Sequence, residues 1–556
     1  MTGNEVANTS ETDDRFGSDL TPSTHATDSS AEYLRLIGIR KMRVSSFIFP
    51  VLTALLFVGC RTLETKPAKV VSIAGPAATK GVLTDVSNGI VERFGPNQSG
   101  FHLIPGSADA LNWRLALADH ATTSIDIQYY LWADDETGYL LLNRLIQAAN
   151  RGVRVRILID DLLHEIDDQE IAALSHHPNF EIRLYNPTRK RGGFPAKAVS
   201  LATNFDQLNQ RMHNKLFIAD GRVSILGGRN IGNAYFGLAE KFNFLDLDVI
   251  AVGPISDKIG EAFDEYWNSD AAYPGQMLDP RVTAAETSST IERLEKEFSE
   301  NLGILAETNY SLQRKDWQVE LQTLQSAWHP GTARMVQDSP EAGEDIERRR
   351  FFDYYKSLLK SDTAGELIIV SPYLIPEQEA YDSLENYNNG GTEVILLSTC
   401  LESNNHTYVN SHYKKHRRKL INQGSQLYEM RGEPSDSIRA LADVSPIRSK
   451  MVSMHVRGAV GNRTHCYIGS LNLDPRSIEL NTENGLIIHS PSLSKETADF
   501  FSTLMSEENS WEVTLDENDQ LKWESMDQVI GIQPALNLSS RLQDFLFRLL
   551  PIEHQL

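Results

Sequence analysis

Two histidines in this sequence are each followed two residues later by a cationic side chain, and these pairs are the groups best suited to chemistry. Residues 212–215 read MHNK and precede GGRN at 227–230, whereas residues 454–457 read MHVR and precede GSLN at 469–472. An imidazole can act as a nucleophile or as a general acid and base. A fixed cation beside it would stabilise negative charge on a substrate. The motifs therefore indicate catalysis on an anion.

The two motifs belong to an internal repeat. His213, the cation after it and the asparagine that ends the GGRN motif all recur 242 residues later around His455. A further pair of carboxylates, Asp246 and Glu483, precedes an apolar run in each half. A fixed separation across several residue types is improbable by chance, and such self-similarity is a primary indicator of repeated architecture.

The residues around each motif predict an α/β lobe. An apolar run at 124–131 (SIDIQYYL) is matched by 367–374 (LIIVSPYL), and a second run at 152–159 is matched by 391–397. Short apolar runs separated by a segment of helical periodicity predict strand, helix and strand in each half. We therefore predict an α/β fold of two lobes packed face to face.

The length of 556 residues exceeds what one hydrophobic core normally organises, which agrees with two lobes. Between them, residues 271–350 are polar and predict a partly helical connector. The predicted organisation is a disordered extension (1–41), a signal segment (42–60), a linker (61–99), the first lobe (100–270), the connector (271–350), the second lobe (351–510) and a C-terminal helical segment (511–556).

The C-terminal segment carries an apolar stripe at helical spacing. Its members are Leu542, Phe545, Leu546, Leu549 and Leu550. A helix docked on the core explains such a stripe more readily than a membrane-contacting face does, and both interpretations stay open at this point.

The first 60 residues predict export or membrane attachment. Residues 1–41 are rich in Ser, Thr and acidic residues and predict disorder. Basic residues then precede an apolar run at 47–58 that ends in Val-Gly-Cys at 58–60, a pattern similar to the lipobox of bacterial lipoproteins. We predict lipidation of Cys60 and a membrane-associated place in the bacterial cell envelope. A plain anchor or a cleaved secretory signal is the alternative.

Composition disfavours two classes of partner. The chain has 53 Lys and Arg against 75 Asp and Glu, a net charge of −22, so its field would repel nucleic acid. Its three cysteines show no paired metal-ligand spacing, so a zinc site is not indicated. The sequence does not identify a protein partner.

His213, Lys215 and Asp220, with the downstream Gly-Gly-x-Asn, match the signature of the phospholipase D superfamily. The phrases SIDIQYYLW, RMHNK, GGRNIG, DLDVIAVG and GSLNLDPRS resemble bacterial cardiolipin synthase C-like proteins. The similarity runs from about Gly100 to the C-terminus. It implies two α/β lobes packed as a pseudo-dimer, one active site at their interface, and no metal or other cofactor.

The resemblance also implies roles for individual side chains. His213 would be the nucleophile that forms a phosphoenzyme, and His455 the general acid and base. Asp246 and Glu483 would orient the histidines and stabilise the imidazolium. The groups expected to surround the phosphate oxygens are Lys215, Arg457, Asn230 and Asn472.

The second motif departs from the family pattern at two positions. Arg457 replaces the expected lysine, and Asn462 stands where the expected aspartate would match Asp220. We predict a phosphatidyltransferase that acts on phospholipids at a membrane and makes cardiolipin from two of them. The alternatives are a hydrolase of phospholipase D type and, because of these departures, a non-catalytic lipid-binding scaffold.

Overall fold

The computed structural model describes residues 61–63, 67–191, 209–324, 327–341, 365–526, 528–550 and 553. The predicted disordered extension and the signal segment with Cys60 lie outside the described residues. No helix in the described part of the chain is both long enough and apolar enough to cross a bilayer.

The first half forms a mixed sheet with strand order β11-β5-β4-β3-β7-β8-β10-β2. The central strands β3, β4 and β5 are parallel, and their neighbours are antiparallel. The strands are β1 (Arg61–Thr62), β2 (Ser99–Ile104), β3 (Ser124–Trp132), β4 (Arg154–His164), β5 (Phe180–Tyr185), β6 (Lys190–Arg191), β7 (Leu216–Ala219), β8 (Val223–Gly227), β9 (Asn243–Leu245), β10 (Asp248–Val252) and β11 (Ala272–Pro274). Parallel strands covered on both faces read as near-continuous apolar runs, which is why these were visible in the sequence.

The second half repeats this topology with strand order β20-β15-β14-β13-β17-β18-β19-β12. Its parallel core is β13, β14 and β15. The strands are β12 (His329–Gln337), β13 (Glu366–Val370), β14 (Glu393–Thr399), β15 (Gln426–Met430), β16 (Val452–Met454), β17 (Gly458–Gly461), β18 (His465–Gly469), β19 (Asn484–His489), β20 (Ser510–Leu515), β21 (Leu521–Ser525) and β22 (Gln528–Ile530). The predicted α/β fold of two lobes is confirmed.

Helices connect and cover the sheets, and polar residues mark where several of them begin. The side chain of Asp135 accepts a hydrogen bond from the Gly138 amide at the start of α3, and Ser490 and Asn537 cap later helices in the same way. The helices are α1 (Val82–Phe94), α2 (Ser107–His120), α3 (Glu136–Asn150), α4 (Asp168–Leu174), α5 (Ile255–Asn268), α6 (Ala285–Glu300), α7 (Gln318–Thr323), α8 (Gln378–Asn389), α9 (Thr407–Tyr413), α10 (Arg417–Asn422), α11 (Asp436–Ala442), α12 (Pro491–Leu504) and α13 (Leu538–Phe547).

Strand β12 joins the two sheets. Its residues 329–331 pair with β2 of the first lobe, and residues 332–337 pair with β19 of the second. Because β12 lies within residues 271–350, that segment is more than the helical connector expected from its polar composition. It contains α6 and α7 and also supplies the strand common to both lobes.

A shared apolar core lies between the lobes. Leu216, Leu226 and Val249 of the first lobe belong to the same buried cluster as Val460 and Leu486 of the second. Burying an aliphatic side chain of this size contributes about 1.5–3 kcal/mol relative to exposure. The cluster therefore fixes how the lobes face one another.

The C-terminal segment differs from the all-helical prediction for residues 511–556. It begins with the strands β20, β21 and β22, and only then forms helix α13. Trp511, Val513 and Trp523 of these strands are buried beside the second sheet. Trp511 and Val513 are two residues apart, which is the spacing of apolar residues in a half-buried strand. The sequence therefore indicated a strand here, but only over a short run.

Candidate active site

The two histidine motifs meet because each is paired to the opposite lobe through the backbone. The His213 amide donates to the Thr482 carbonyl oxygen at 2.9 Å, and the His455 amide donates to the Leu245 carbonyl oxygen at 2.7 Å. The second contact continues the parallel pairing of β9 with β16. Short pieces of strand from each half thus hold the motif of the other half.

The carboxylates are exchanged between the lobes in the same way. His213 Nδ1 lies 2.9 Å from Glu483 Oε2, and His455 Nδ1 lies 2.6 Å from Asp246 Oδ2. An imidazole that donates its Nδ1–H to a carboxylate is held in one tautomer, with Nε2 left for chemistry. Each histidine is therefore oriented by a residue that the other lobe supplies.

The small residues of the GGRN and GSLN motifs make room for these carboxylates. A Cβ added at Gly228 would lie 2.2 Å from Asp246 Oδ1, so a side chain there would displace the carboxylate. The equivalent residue of the second lobe, Ser470, instead donates its hydroxyl to Glu483. The two halves therefore hold their carboxylates differently.

Both cations lie beside the histidines. Arg457 Nη2 is 3.0 Å from His455 Nε2, and Arg457 Nε donates to Asn472 Oδ1 at 2.6 Å. The Nζ of Lys215 donates to the backbone carbonyl oxygen of His213 at 2.5 Å. The replacement of lysine by Arg457 thus keeps a positive charge at the site and adds a planar fork of donors.

Burial favours the uncharged forms of the histidines and carboxylates in this cluster. Desolvation and the neighbouring Lys215 and Arg457 lower the pKa of His213 well below its usual value, and desolvation and the same two cations lower the pKa of His455. Burial raises the pKa of Glu483 to about 7 and that of Asp246 to about 6. An anion entering the site would favour the protonated imidazole, because it restores the charge balance that burial disturbs.

The asparagines of the repeat line the site but are engaged by protein groups. Asn230 Nδ2 donates to the Tyr235 hydroxyl at 3.0 Å, and Asn472 Nδ2 donates to Ser477 Oγ at 3.2 Å. Asn472 also holds Arg457 in place through its side-chain oxygen. Each amide nitrogen has a second N–H, which can donate to a phosphate oxygen while these bonds remain.

The sequence profile of the family described as "Cardiolipin synthase, PLD-like domain" matches residues 115–267 and 356–505. The two matches together span more than half of the chain, and each contains one histidine motif. The chain belongs to the phospholipase D-like family. Its two matched copies correspond to the two lobes that share the site.

Known proteins are similar to this phospholipase D-like chain over most of its length. Cardiolipin synthase C of Escherichia coli is 32% identical over 486 residues, which cover 82% of this chain and 96% of that protein. An uncharacterized protein of Helicobacter pylori is 29% identical over 441 residues, which cover 79% of this chain and 85% of that protein. Among solved structures, phosphatidylserine synthase of Haemophilus influenzae aligns with 15% identity and a TM-score of 0.49 over 77% of this chain and 92% of that chain.

Aromatic rings that the sequence analysis did not single out enclose both histidines of this phospholipase D-like site. The ring of Tyr130 lies edge-on to His213 with centroids 5.1 Å apart. Tyr235 and Phe244 lie 5.2 Å and 4.5 Å from the ring of His455. Tyr130 stands in the repeated Tyr-Leu pair and could have been found from it, whereas nothing in the sequence distinguished Tyr235.

Asp220, expected at the catalytic site, lies instead in the turn between β7 and β8. Its carboxylate accepts hydrogen bonds from the amides of Thr122 and Thr123 and from both threonine hydroxyls, at the entry to β3. Asn462 occupies the matching turn of the second lobe, where its Oδ1 accepts from the Glu366 amide at 2.9 Å. Both residues have positive φ values, which aspartate and asparagine tolerate better than most residues. The substitution of Asp by Asn462 therefore alters a turn and leaves the histidine cluster intact.

We expect Asp220→Ala to destabilise the fold by about 3 kcal/mol, because several donors to a charged acceptor lose their partner. Asp220→Asn should cost about 1 kcal/mol, since it keeps one acceptor and the turn. Both variants should keep the kcat of the folded parent. Urea denaturation, followed by turnover measured per folded molecule, checks this. A loss of kcat as deep as that of His213→Ala in a stably folded protein would contradict the turn assignment.

Proposed function

We propose that this chain is a phosphatidyltransferase that joins two phospholipids into cardiolipin through a phosphohistidine intermediate. The observation that carries the proposal is the crossed arrangement of His213 with Glu483 and of His455 with Asp246. Two imidazoles, each bonded through Nδ1 to a carboxylate and flanked by cations, match the requirements of two successive displacements at phosphorus.

In the first step, the neutral Nε2 of His213 attacks the phosphorus of the donor lipid. A nitrogen–phosphorus bond forms, the bond to the head-group oxygen breaks, and the departing alkoxide takes a proton from His455 Nε2. Arg457 Nη2, which contacts His455 Nε2 in the substrate-free site, turns to the phosphate when the donor lipid binds, which leaves Nε2 able to carry a proton. Lys215 and Arg457 then stabilise the charge on the non-bridging oxygens. The pKa values of both histidines are depressed, which leaves His213 Nε2 unprotonated and able to attack. The bound phosphate, by compensating the buried cations, favours protonation of His455.

In the second step, His455 Nε2 accepts a proton from the hydroxyl group of the acceptor lipid. The acceptor oxygen attacks phosphorus and the bond to His213 Nε2 breaks, which returns both histidines to their starting states. Asp246 stabilises the imidazolium form of His455 in each cycle. One residue thus serves as acid and then as base, as microscopic reversibility requires.

Two further observations favour transfer between lipids over hydrolysis. His213 and His455 are both buried, so water has limited access to the phosphoenzyme. The similar protein of Escherichia coli bears the name cardiolipin synthase C. The proposal includes membrane association in the bacterial cell envelope, with Cys60 as the predicted lipidation site.

The test is a mass-spectrometric lipid assay of the full chain with mixed phosphatidylethanolamine and phosphatidylglycerol vesicles. Cardiolipin and a released head-group alcohol or glycerol are expected from the parent and from Val319→Ala, a surface control on α7. His213→Ala should give neither product. Phosphatidic acid without cardiolipin would show that the chain is a hydrolase and not a transferase. Vesicle binding without any turnover would favour the non-catalytic lipid-binding scaffold.

A further inference from the structure

Helix α13 is turned so that its apolar side faces away from the protein. Leu538, Leu542 and Phe545 are 83%, 61% and 57% exposed, and Leu549 just beyond the helix is 67% exposed. The acidic residue of the helix, Asp544, is buried and ion-paired with Lys414. A helix docked on a core buries its apolar stripe and exposes its charged residues, whereas α13 does the opposite.

The exposed apolar surface extends into the chain that precedes the helix. Val529, Ile532 and Leu536 are all more than half exposed. Gln533, between them, is fixed by hydrogen bonds to Asn410 and Arg417. An apolar surface of this extent on an otherwise polar protein marks an interaction site.

The most concentrated basic run in the sequence lies against this helix. Residues 414–419 read KKHRRK in a chain whose net charge is −22. The ion pair of Lys414 with Asp544 joins the run to α13. Arg417 is buried and paired with Glu429, whereas Lys415 and Arg418 stay partly exposed in ion pairs with Glu553 and Asp519. Lys419 is exposed. Arg548 is exposed at the end of the helix. Cations beside exposed leucines and phenylalanine form the pattern of a segment that lies in the plane of an anionic bilayer.

A chain of aromatic contacts connects this helix with the active site. The ring centroid of Phe547 lies 6.1 Å from Tyr408, that of Tyr408 lies 5.2 Å from His406, and that of His406 lies 5.9 Å from Tyr373. Tyr373 is followed by Leu374, which pairs with Leu473, and Leu473 follows the Asn472 that holds Arg457. The apolar face thus connects to the His455 side of the site.

We propose that the outward face of α13, together with the cations Lys415, Arg418, Lys419 and Arg548 beside it, is a surface that binds anionic phospholipid bilayers and presents the histidine site to them. The apolar side chains enter the interfacial layer, and the cations contact the head groups. The purpose of the contact rests on the proposed function, whereas the contact itself does not depend on turnover. A second copy of the chain is a poorer occupant, because it would bring two basic runs and two strongly negative chains together.

Hydrogen–deuterium exchange of the full chain tests the binding at the face itself. Vesicles of phosphatidylethanolamine and phosphatidylglycerol should slow exchange in 538–550, and vesicles of phosphatidylcholine alone should protect this segment less. High salt should reduce the protection. An unchanged exchange rate in 538–550 would overturn the proposal. Protection that grows with protein concentration in the absence of vesicles would assign the face to a second copy.

A surface variant separates this proposal from the catalytic one. Phe545→Ser with Leu549→Ser should lower activity on vesicles about tenfold or more, since two inserted side chains are removed. Activity on a short-chain lipid below its aggregation concentration should match the parent. Val319→Ser, at a residue 72% exposed on α7, is the matched control. Equal vesicle activity of both variants would overturn the role of the face. Protection of 538–550 without any lipid turnover would leave the surface standing and reject the proposed reaction.

Discussion

His213→Ala should abolish the phosphoenzyme and lower turnover by about 10⁴-fold, whereas His455→Ala should still form the phosphoenzyme from a donor with a good leaving group. The difference arises because only His213 makes the covalent bond, while His455 supplies a proton that an activated leaving group does not need. Quenching the full chain in denaturant at mildly alkaline pH preserves the acid-labile nitrogen–phosphorus bond. Mass spectrometry of the quenched protein, with donors whose leaving groups differ in pKa, then measures both effects.

The leaving-group series also tests which histidine is the nucleophile and which is the general acid. With His455→Ala, the rate of phosphoenzyme formation should fall most for poor leaving groups, and breakdown by the acceptor alcohol should be slow for every donor. If instead His455→Ala removes the phosphoenzyme and His213→Ala retains it, the two roles are exchanged. Loss of the phosphoenzyme in both variants with an activated donor would contradict the division of labour altogether.

The second large effect concerns the exchanged carboxylates, each of which should act on the histidine of the other lobe. Asp246→Asn, in the first lobe, should reproduce the leaving-group dependence of His455→Ala. Glu483→Gln, in the second lobe, should reproduce the loss of nucleophilic function seen with His213→Ala. Each amide should lower kcat/KM by about 10²–10⁴-fold, because it cannot stabilise an imidazolium as a carboxylate does.

Double-mutant cycles distinguish this pairing from a merely structural role. The effect of Asp246→Asn should largely vanish in a His455→Ala background, because the carboxylate then has no imidazole to stabilise. Additive effects for the Asp246 and His455 pair would show that the contact is not used in catalysis.

The pH dependence of kcat/KM would not change on substitution of Asp246 if this residue had only a structural role. Burial raises the pKa of Asp246 to about 6, so the carboxylate takes up a proton and loses its charge as the pH falls through that value. The support for the His455 imidazolium is then lost. On the acid side, kcat/KM should decline first near pH 7, as Glu483 takes up a proton, and more steeply near pH 6, as Asp246 does. In Asp246→Asn the steeper limb near pH 6 should disappear while the limb near pH 7 remains, and each apparent pKa belongs to a histidine–carboxylate pair because the two residues titrate together.

The repeat made the fold predictable, because buried parallel strands leave apolar runs that recur at a fixed separation. It also indicated that His213 and His455 belong to one site. The exchange of Asp246 and Glu483 between lobes was not predictable, since one carboxylate downstream of each histidine motif fits pairing within a lobe as well as across lobes. Only the backbone contacts of His213 with Thr482 and of His455 with Leu245 decide between them.

Other misses have local causes. Strand β12 was hidden because only a few of its residues are buried and its composition is polar. Asp220 was expected at the site because it belongs to the same motif as His213 and Lys215. A motif shows the spacing of its residues but not where each lies, and strand β7 places Asp220 at the turn away from the histidines. The apolar stripe of α13 has the spacing of a core helix, and the buried ion pair of Asp544 with Lys414 that turns it outward joins residues distant in sequence.

The exchanged pairing of histidines and carboxylates is the arrangement that two identical chains would make around a two-fold axis. In such an ancestor, one substitution would alter both sides of the site at once, so attacking and proton-donating groups could not diverge. Joining the copies in one polypeptide removes that constraint. Arg457 in place of Lys215, Asn462 in place of Asp220 and Ser470 in place of Gly228 are differences that a pair of identical chains could not carry.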